Sequence, residues 1–326
     1  MTEDVVNVSA PARLHLGFLD PGGRSGRRFG GIGLAVDAPS TCLSIRRAGH
    51  DRVEGADAER AEEHLAAMRR HLGLDQTYEM TIEETIPAHA GLGSGTQLAL
   101  AVAAGVRALE GVPTDYAGDA ARLGRGNRSG LGAAFFSQGG LAVDGGKGTQ
   151  DRPPPIVSRF AFPKAWRVIL VLDPSNVGLH GPDEIAAFDA LPPFPERETA
   201  EICRLVLMQM LPGLAEKDIA AFGASIAIIQ GMVSGHFAPA QGGVFTSPRV
   251  ARACTFLADA GAQGIGQSSW GPTGFAFAES AQDAERLVEA TRAEGAAQDL
   301  DIRIVAGRNQ GASIERASRR ELAGTG

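Results

Sequence analysis

Ile86-Pro-Ala-His-Ala-Gly-Leu-Gly-Ser-Gly-Thr-Gln-Leu-Ala-Leu100 (IPAHAGLGSGTQLAL, residues 86–100) places three glycines and two hydroxyls directly ahead of an apolar, helix-forming run. Beyond it Leu98, Val102, Val106 and Leu109 recur at helical spacing and Gly111 supplies a stop, which predicts a helix over 94–110. Before it Tyr78–Glu84 alternates like a strand. A loop in that position meets the helix start, where the first N–H groups lack intrahelical partners and the dipole adds partial positive charge. Glycines let phosphate oxygens approach that backbone. Ser94 and Thr96 can cap the helix, bond a phosphate oxygen or ligate Mg2+. The expected ligand is a phosphate or diphosphate. No Gly-Lys-Ser/Thr follows, so this is not a Walker loop. A helix cap behind a flexible turn is the competing reading.

On either side the pattern mixes strands and helices. Residues 4–18 alternate as a strand interrupted at Pro11, and 19–30 form a Gly/Arg-rich loop. Gly31–Val36 and Thr41–Arg46 read as a hairpin-like strand pair, and Ala58–Leu72 as an amphipathic helix. A helix over Asp115–Leu123 precedes a second glycine-rich loop, and Leu141–Asp144 reads as a strand. Gly145–Pro155, with three consecutive prolines, is the expected linker. Beyond it come a strand at Trp166–Leu172 and helices near 198–211, 215–231 and 248–260. A turn at Ile265–Gly274, a strand at Phe275–Ala278, a helix over 281–294 and a strand at Asp301–Ala306 follow.

The chain has 326 residues, too many for one small core, which predicts two packed domains. Net charge is -7, so a general nucleic-acid binder is not expected. Basic spots remain at Arg24–Arg28 and Arg122–Arg128, and they point to a small anionic ligand. The cysteines Cys42, Cys203 and Cys254 follow no metal or disulfide spacing. No apolar run approaches a membrane span and no signal peptide is visible, so the expected location is the cytoplasm.

Three motifs resemble the galactokinase–homoserine kinase–mevalonate kinase–phosphomevalonate kinase (GHMP) superfamily. They are Ser9-Ala-Pro-Ala-Arg-Leu-His-Leu-Gly17, the loop Pro87–Thr96, and Ser268-Ser-Trp-Gly-Pro-Thr-Gly-Phe-Ala-Phe277. Gly95-Thr96 stands where the kinases usually have Ser-Ala, and Trp270 where a glycine is common. The resemblance implies an α+β, two-domain GHMP-kinase fold. Residues 1–155 would resemble ribosomal protein S5 domain 2, and residues 156–326 would be ferredoxin-like. It also implies diphosphate contacts from Gly91, Gly93, Ser94, Gly95, Thr96 and Gln97, with Ser129, Gly271 and Thr273. Arg125 and Arg128 flank a glycine-rich turn and can clamp phosphate or form only a solvated charge pair.

In many of these kinases a Ser-Gly-x-Asp element supplies a carboxylate to the attacking hydroxyl. Here Gly132 stands where that Asp would be. The finer resemblance is to the β-ribofuranosylaminobenzene 5′-phosphate synthase family. It is carried by Ala12–Asp20, Arg28–Leu34, Gly93–Gln97, Gly124–Gly132, Gly139–Gly146, Gly178–Glu184 and Gln241–Gly243. That family is implied to condense phosphoribosyl pyrophosphate with 4-aminobenzoate, releasing CO2 and pyrophosphate, at the head of the methanopterin branch. The charge growing on the leaving pyrophosphate would call for Mg2+ as cofactor, arginines and backbone N–H groups. An ATP-dependent small-molecule kinase is the alternative, and a non-catalytic ligand sensor the third possibility.

Candidate substrate residues are Arg13 and His15, two apart on a strand and facing one way. Asp20 is a candidate for the cationic ribose or, with Ser94, for Mg2+; an Asx turn is its bland alternative. His180 and Glu184 are four apart and share a face if Pro182 starts a helix. Gln241 can touch substrate or only turn the chain. Trp270 can stack on an aromatic substrate or only pack. Asp144 can be a metal ligand or only a turn former before Gly145-Gly146, with the turn favoured, and His50, His64 and His71 read as surface residues. A homodimer is the default assembly.

Overall fold

The computed structural model describes residues 4–149, 152–178, 181, 186, 187 and 190–318. His180 and Glu184 lie outside the described residues. One sheet is built on β1 (Asp4–Asp20) and β2 (Phe29–Ala48), flanked by β3 (Arg52–Gly55), β4 (Thr77–Glu84), β5 (Leu141–Asp144), β6 (Ile156–Phe160) and β11 (Ser313–Ser318). The second sheet runs β10 (Asp301–Ala306), β7 (Arg167–Leu172), β9 (Gly274–Ala278), β8 (Gln263–Gln267). Helices α1 (Ala58–Leu72), α2 (Ser94–Glu110), α3 (Tyr116–Arg122) and α4 (Leu131–Ser137) accompany the first sheet. The rest are α5 (Glu196–Leu205), α6 (Leu211–Glu216), α7 (Ile219–Gln241), α8 (Pro248–Asp259) and α9 (Ala281–Ala293). A π-helical turn, Val206–Met210, joins α5 to α6.

The α+β expectation holds, and several boundaries differ from it. The expected hairpin over 31–46 is one continuous strand. Both halves pair with β1, and the register jumps from Pro11↔Ser40 to Ala12↔Val36, so Asp37–Pro39 bulge instead of turning the chain. Gly145–Pro155 closes a hairpin, with Gly145 N–H donating to Pro155 C=O (2.9 Å), and β6 pairs with β5 in the first sheet. β11, with no sequence signal of its own, returns to pair with β1.

α7 corrects the membrane argument. It is 23 residues long with a mean hydropathy of 1.4, enough to span a bilayer by length and composition. Its Phe222, Ile226, Ile229 and Val233 join a core with Leu14, Leu16, Ile32 and Leu34 of the first sheet and Val168, Leu170, Phe275 and Phe277 of the second. A core helix under two sheets becomes apolar for the same reason a membrane helix does. α2 is also uncharged over most of its length because it packs on both sides, against the first sheet and against α1.

Candidate active site

The three motifs, far apart in sequence, meet at one buried hydroxyl. Ser268 Oγ donates to the Gly91 carbonyl (2.8 Å) and accepts from His15 N–H (2.9 Å). Arg13 N–H donates to Leu92 C=O (2.9 Å). The junction has no room for side chains: a Cβ on Gly91, where φ is +79°, would lie 2.1 Å from the Ser268 carbonyl oxygen. Helix α7 adds a second clamp. Gln230 Nε2 donates to Leu16 C=O (2.8 Å), and its Oε1 accepts from Gln267 N–H (2.9 Å).

Above this junction lies a cleft of about 240 Å3. One half is cationic. Gly93 caps α2 without a side chain, no side-chain cap bond closes the helix start, and Gly93–Thr96 of its first turn line the cleft. The Arg125 guanidinium lies over Gly95, where a Cβ would meet Nη1 at 3.0 Å, and Arg13 lies against Gly93. Arg128 and Ser129 continue this wall. Burial, then the charge of Arg60, pull the Arg125 pKa down from the usual arginine value. A partly desolvated guanidinium gains more from an anion than a solvated one.

Asp144 holds the far side of this wall. Its carboxylate is fully buried and accepts from Ser129 Oγ (2.7 Å) and from the N–H groups of Gly31, Gly130 and Gly146. Burial raises its pKa, partly offset by these bonds. It does more than form a turn: it fixes the loop that carries Arg128 and Ser129.

The other half of the cleft is aromatic, lined by Phe18, Phe29, Trp270 and His15, with His89 at the rim. The His15 ring lies 4.4 Å from Phe18, and Trp270 packs 4.5 Å from Phe237. His15 is 3% exposed, and burial, then Arg13, lower its pKa to about 3. Its imidazole is therefore neutral. Three non-glycine residues lining the cleft, Phe29, His89 and Ser269, hold positive φ. Such strain persists where surrounding structure enforces it, often at sites of function.

The GHMP kinases N terminal domain family matches residues 59–140, and the GHMP kinases C terminal family residues 210–297. The β-ribofuranosylphenol 5′-phosphate synthase of Archaeoglobus fulgidus is 33% identical, over 95% of this chain and 100% of the relative. That of Methanothermobacter thermautotrophicus is also 33% identical, over 81% of this chain and 86% of the relative. The chain belongs to the β-ribofuranosylphenol 5′-phosphate synthase family. Its fold is shared by homoserine kinase from Cytophaga hutchinsonii (TM-score 0.67, 18% identity, 95% of this chain and 97% of that one). It is shared equally by mevalonate diphosphate decarboxylase from Staphylococcus aureus (TM-score 0.67, 14% identity, 96% and 98%).

In this member of the synthase family the cleft collects Arg13, His15, Gly91, Gly93, Ser94, Gly95, Thr96, Arg125, Arg128, Ser129, Trp270 and Gly271. Other expected residues stand elsewhere. Asp20 is buried in its own turn, accepting from Gly23 N–H (2.8 Å), Ser25 N–H (2.9 Å) and Ser25 Oγ (2.6 Å). Burial works to raise its pKa, and these bonds leave it net lowered. It closes an Asx turn and stands outside the cleft lining. Gln97 points inward, its Nε2 donating to Gly132 C=O (3.0 Å). Thr273 is fully buried, outside the cleft lining. Gln241 bonds its own loop at Gly243 and Val244 and lines a small adjoining cavity. His64 is buried, not on the surface, and burial lowers its pKa to about 4. Sequence reasoning missed Phe18, Phe29, His89, Ser268 and Ser269. All five sit inside quoted stretches, so the motifs marked the right segments without singling out these side chains.

No Asp or Glu is among the described residues lining the cleft, and no group of three or more His, Cys, Asp or Glu placed to hold a metal ion occurs among the described residues. Mg2+ favours carboxylates alongside substrate phosphates. The residues lining the cleft do not form a resident magnesium site.

Proposed function

We propose that this cleft transfers a phosphoribosyl group from its diphosphate to the carboxyl-bearing ring carbon of a para-substituted benzoate, releasing pyrophosphate and CO2. The observation that carries the reading is the division of the cleft. A helix N-terminus with Arg13 and Arg125 makes a cationic half, and Phe18, Phe29 and Trp270 make an aromatic half. The cationic half stabilises the negative charge that grows on the leaving pyrophosphate. The aromatic half excludes water from the cationic ribose and faces the ring. The ring carbon attacks, helped by electron donation from the para substituent, and loss of CO2 restores aromaticity. Mg2+ belongs to the proposal as a counter-ion entering with the diphosphate. A cytoplasmic homodimer stays part of it.

The relatives' names specify a phenol product, whereas the motif resemblance implied an aniline. Both substituents push electrons to the attacking carbon, so 4-hydroxybenzoate and 4-aminobenzoate are both candidates. The kinase alternative is not favoured. A Cβ on Gly132 would lie 2.6 Å from Thr96 Cγ2, so Thr96 fills the room a carboxylate there would need. Thr96 and Gly132, two of the departures from the kinase pattern, are one packing change.

The test supplies Mg2+, phosphoribosyl pyrophosphate and either acid labelled at its carboxyl, with ATP replacing the donor in parallel. Donor-dependent release of labelled CO2 is expected. ATP hydrolysis without CO2 release would sink the synthase reading.

A further inference from the structure

We propose that His15 is the catalytic base for the acceptor's para substituent, taking its O–H or N–H proton as the carbon–carbon bond forms and returning it after CO2 leaves. The proposal rests on the synthase reading. When the ring carbon attacks C1 of the ribose, the C–O bond to pyrophosphate breaks and its electron pair leaves with pyrophosphate. Positive charge then develops on the ring and on the para oxygen. Transfer of the O–H proton to an imidazole nitrogen leaves a neutral dienone that bears both the carboxylate and the ribose. Cleavage of the C–CO2 bond sends its electrons into the ring. The resulting phenolate recovers the proton from His15, and the enzyme returns to its starting state.

The geometry singles out this side chain. His15 lines both the main cleft and the small cavity beside it, between the cationic wall and Phe18. A register shift between His15 and Gly17 re-aims the strand there. The backbone is clamped on both sides, His15 N–H by Ser268 Oγ and the Leu16 carbonyl by Gln230 Nε2. The lining arginines stay protonated and cannot accept a proton. Among the described lining residues only His15 and His89 carry an imidazole, and His89 is exposed at the rim.

The charged and titratable groups around His15 are Arg13 on its own strand, Arg125, Arg128 and His89 across the cleft, and Asp144 on β5. A Cβ on Gly31 would lie 3.1 Å from Asp144 Oδ2 and 3.4 Å from His15 Nε2. With a pKa of about 3, the imidazole enters every turnover unprotonated. A weak base suffices, because the para O–H turns strongly acidic once the ring carries positive charge.

The experiment compares wild type, His15→Asn and His15→Gln with both acids at saturating concentration between pH 6 and pH 10. At pH 7 the variants should lose about 10²–10⁴-fold in kcat with both acids. With 4-hydroxybenzoate the deficit should shrink as the phenol ionises in solution, near pH 10 for an ordinary phenol. With 4-aminobenzoate it should persist. Wild type should leave 4-methoxybenzoate, which has no proton to give, almost unreacted. A deficit equal for both acids at every pH marks a structural role and overturns the proposal. Ready turnover of the methoxy acid does the same, and this result needs no variant to fold. Wild-type failure to release CO2 from either acid overturns the synthase reading and this proposal together.

Discussion

Arg125 shows how one side chain links sequence, packing and binding. It follows α3, and its N–H donates to Ala120 C=O (2.6 Å), which turns the guanidinium over Gly95 at the start of α2. Each charge-assisted hydrogen bond to a bound oxyanion contributes about 1.5–3 kcal/mol. Arg125→Ala should therefore raise KM for phosphoribosyl pyrophosphate about 10–100-fold while leaving KM for the aromatic acid within about twofold. Steady-state kinetics with each substrate varied separately checks this. Equal effects on both would place Arg125 outside the diphosphate subsite. The Arg125 candidacy was legible from a basic residue in a glycine-rich loop. The inward turn of Gln97 was not. It sits one residue beyond Thr96 in the motif, and only the 100° advance per helical residue, set against α4, sends it to Gly132.

At the level of elements, α2 and α3 are joined by a buried bidentate pair. Arg107 Nε and Nη2 donate to Asp119 at 2.6 and 2.7 Å, and the side chains are 6% and 1% exposed. Arg107 Nη1 also donates to Pro113 C=O (2.8 Å). Arg107→Ala would leave the buried Asp119 carboxylate with only the half-exposed Arg122 as a charged partner, and about 3 kcal/mol of stability should be lost. Arg122→Ala removes a half-exposed partner of the same carboxylate and should cost about 1 kcal/mol or less. Urea denaturation of both variants decides it, and equal losses would refute the burial argument. Because α3 delivers Arg125, the first variant should also weaken donor binding. The helices α1 and α2 were readable to the residue, since apolar spacing and glycine stops are local signals. Strands β6 and β11 were not, because a short edge strand is defined by its partner.

For the whole molecule, buried histidines set the acid limit. His15 and His64 fold with pKa values of about 3 and about 4, below the ordinary 6.5. The unfolded chain takes up protons below pH 6.5 that the folded chain refuses. The stabilising difference is present above pH 6.5 and is lost as pH falls toward 4 and then 3. Two such groups give about 2–3 kcal/mol per pH unit near pH 5. Asp144, whose pKa is raised by burial, offsets part of this. Unfolding free energy measured from pH 7 to pH 5 should fall steeply, and His64→Leu should flatten the slope. A level profile for wild type would show that these imidazoles are solvated.

The sequence alone determined the α+β class, the three motifs and the chemistry of a glycine loop at a helix start, because each is written in residues near one another. It also showed that the position of the kinase carboxylate is a glycine. Only the tertiary structure decided that Thr96 fills that space, that Asp20 closes its own turn, and that Ser268 ties three distant motifs together. Those outcomes depend on which groups from separate segments come within a few ångströms. Local spacing carries no information about that distance; the packing of both sheets around α7 sets it.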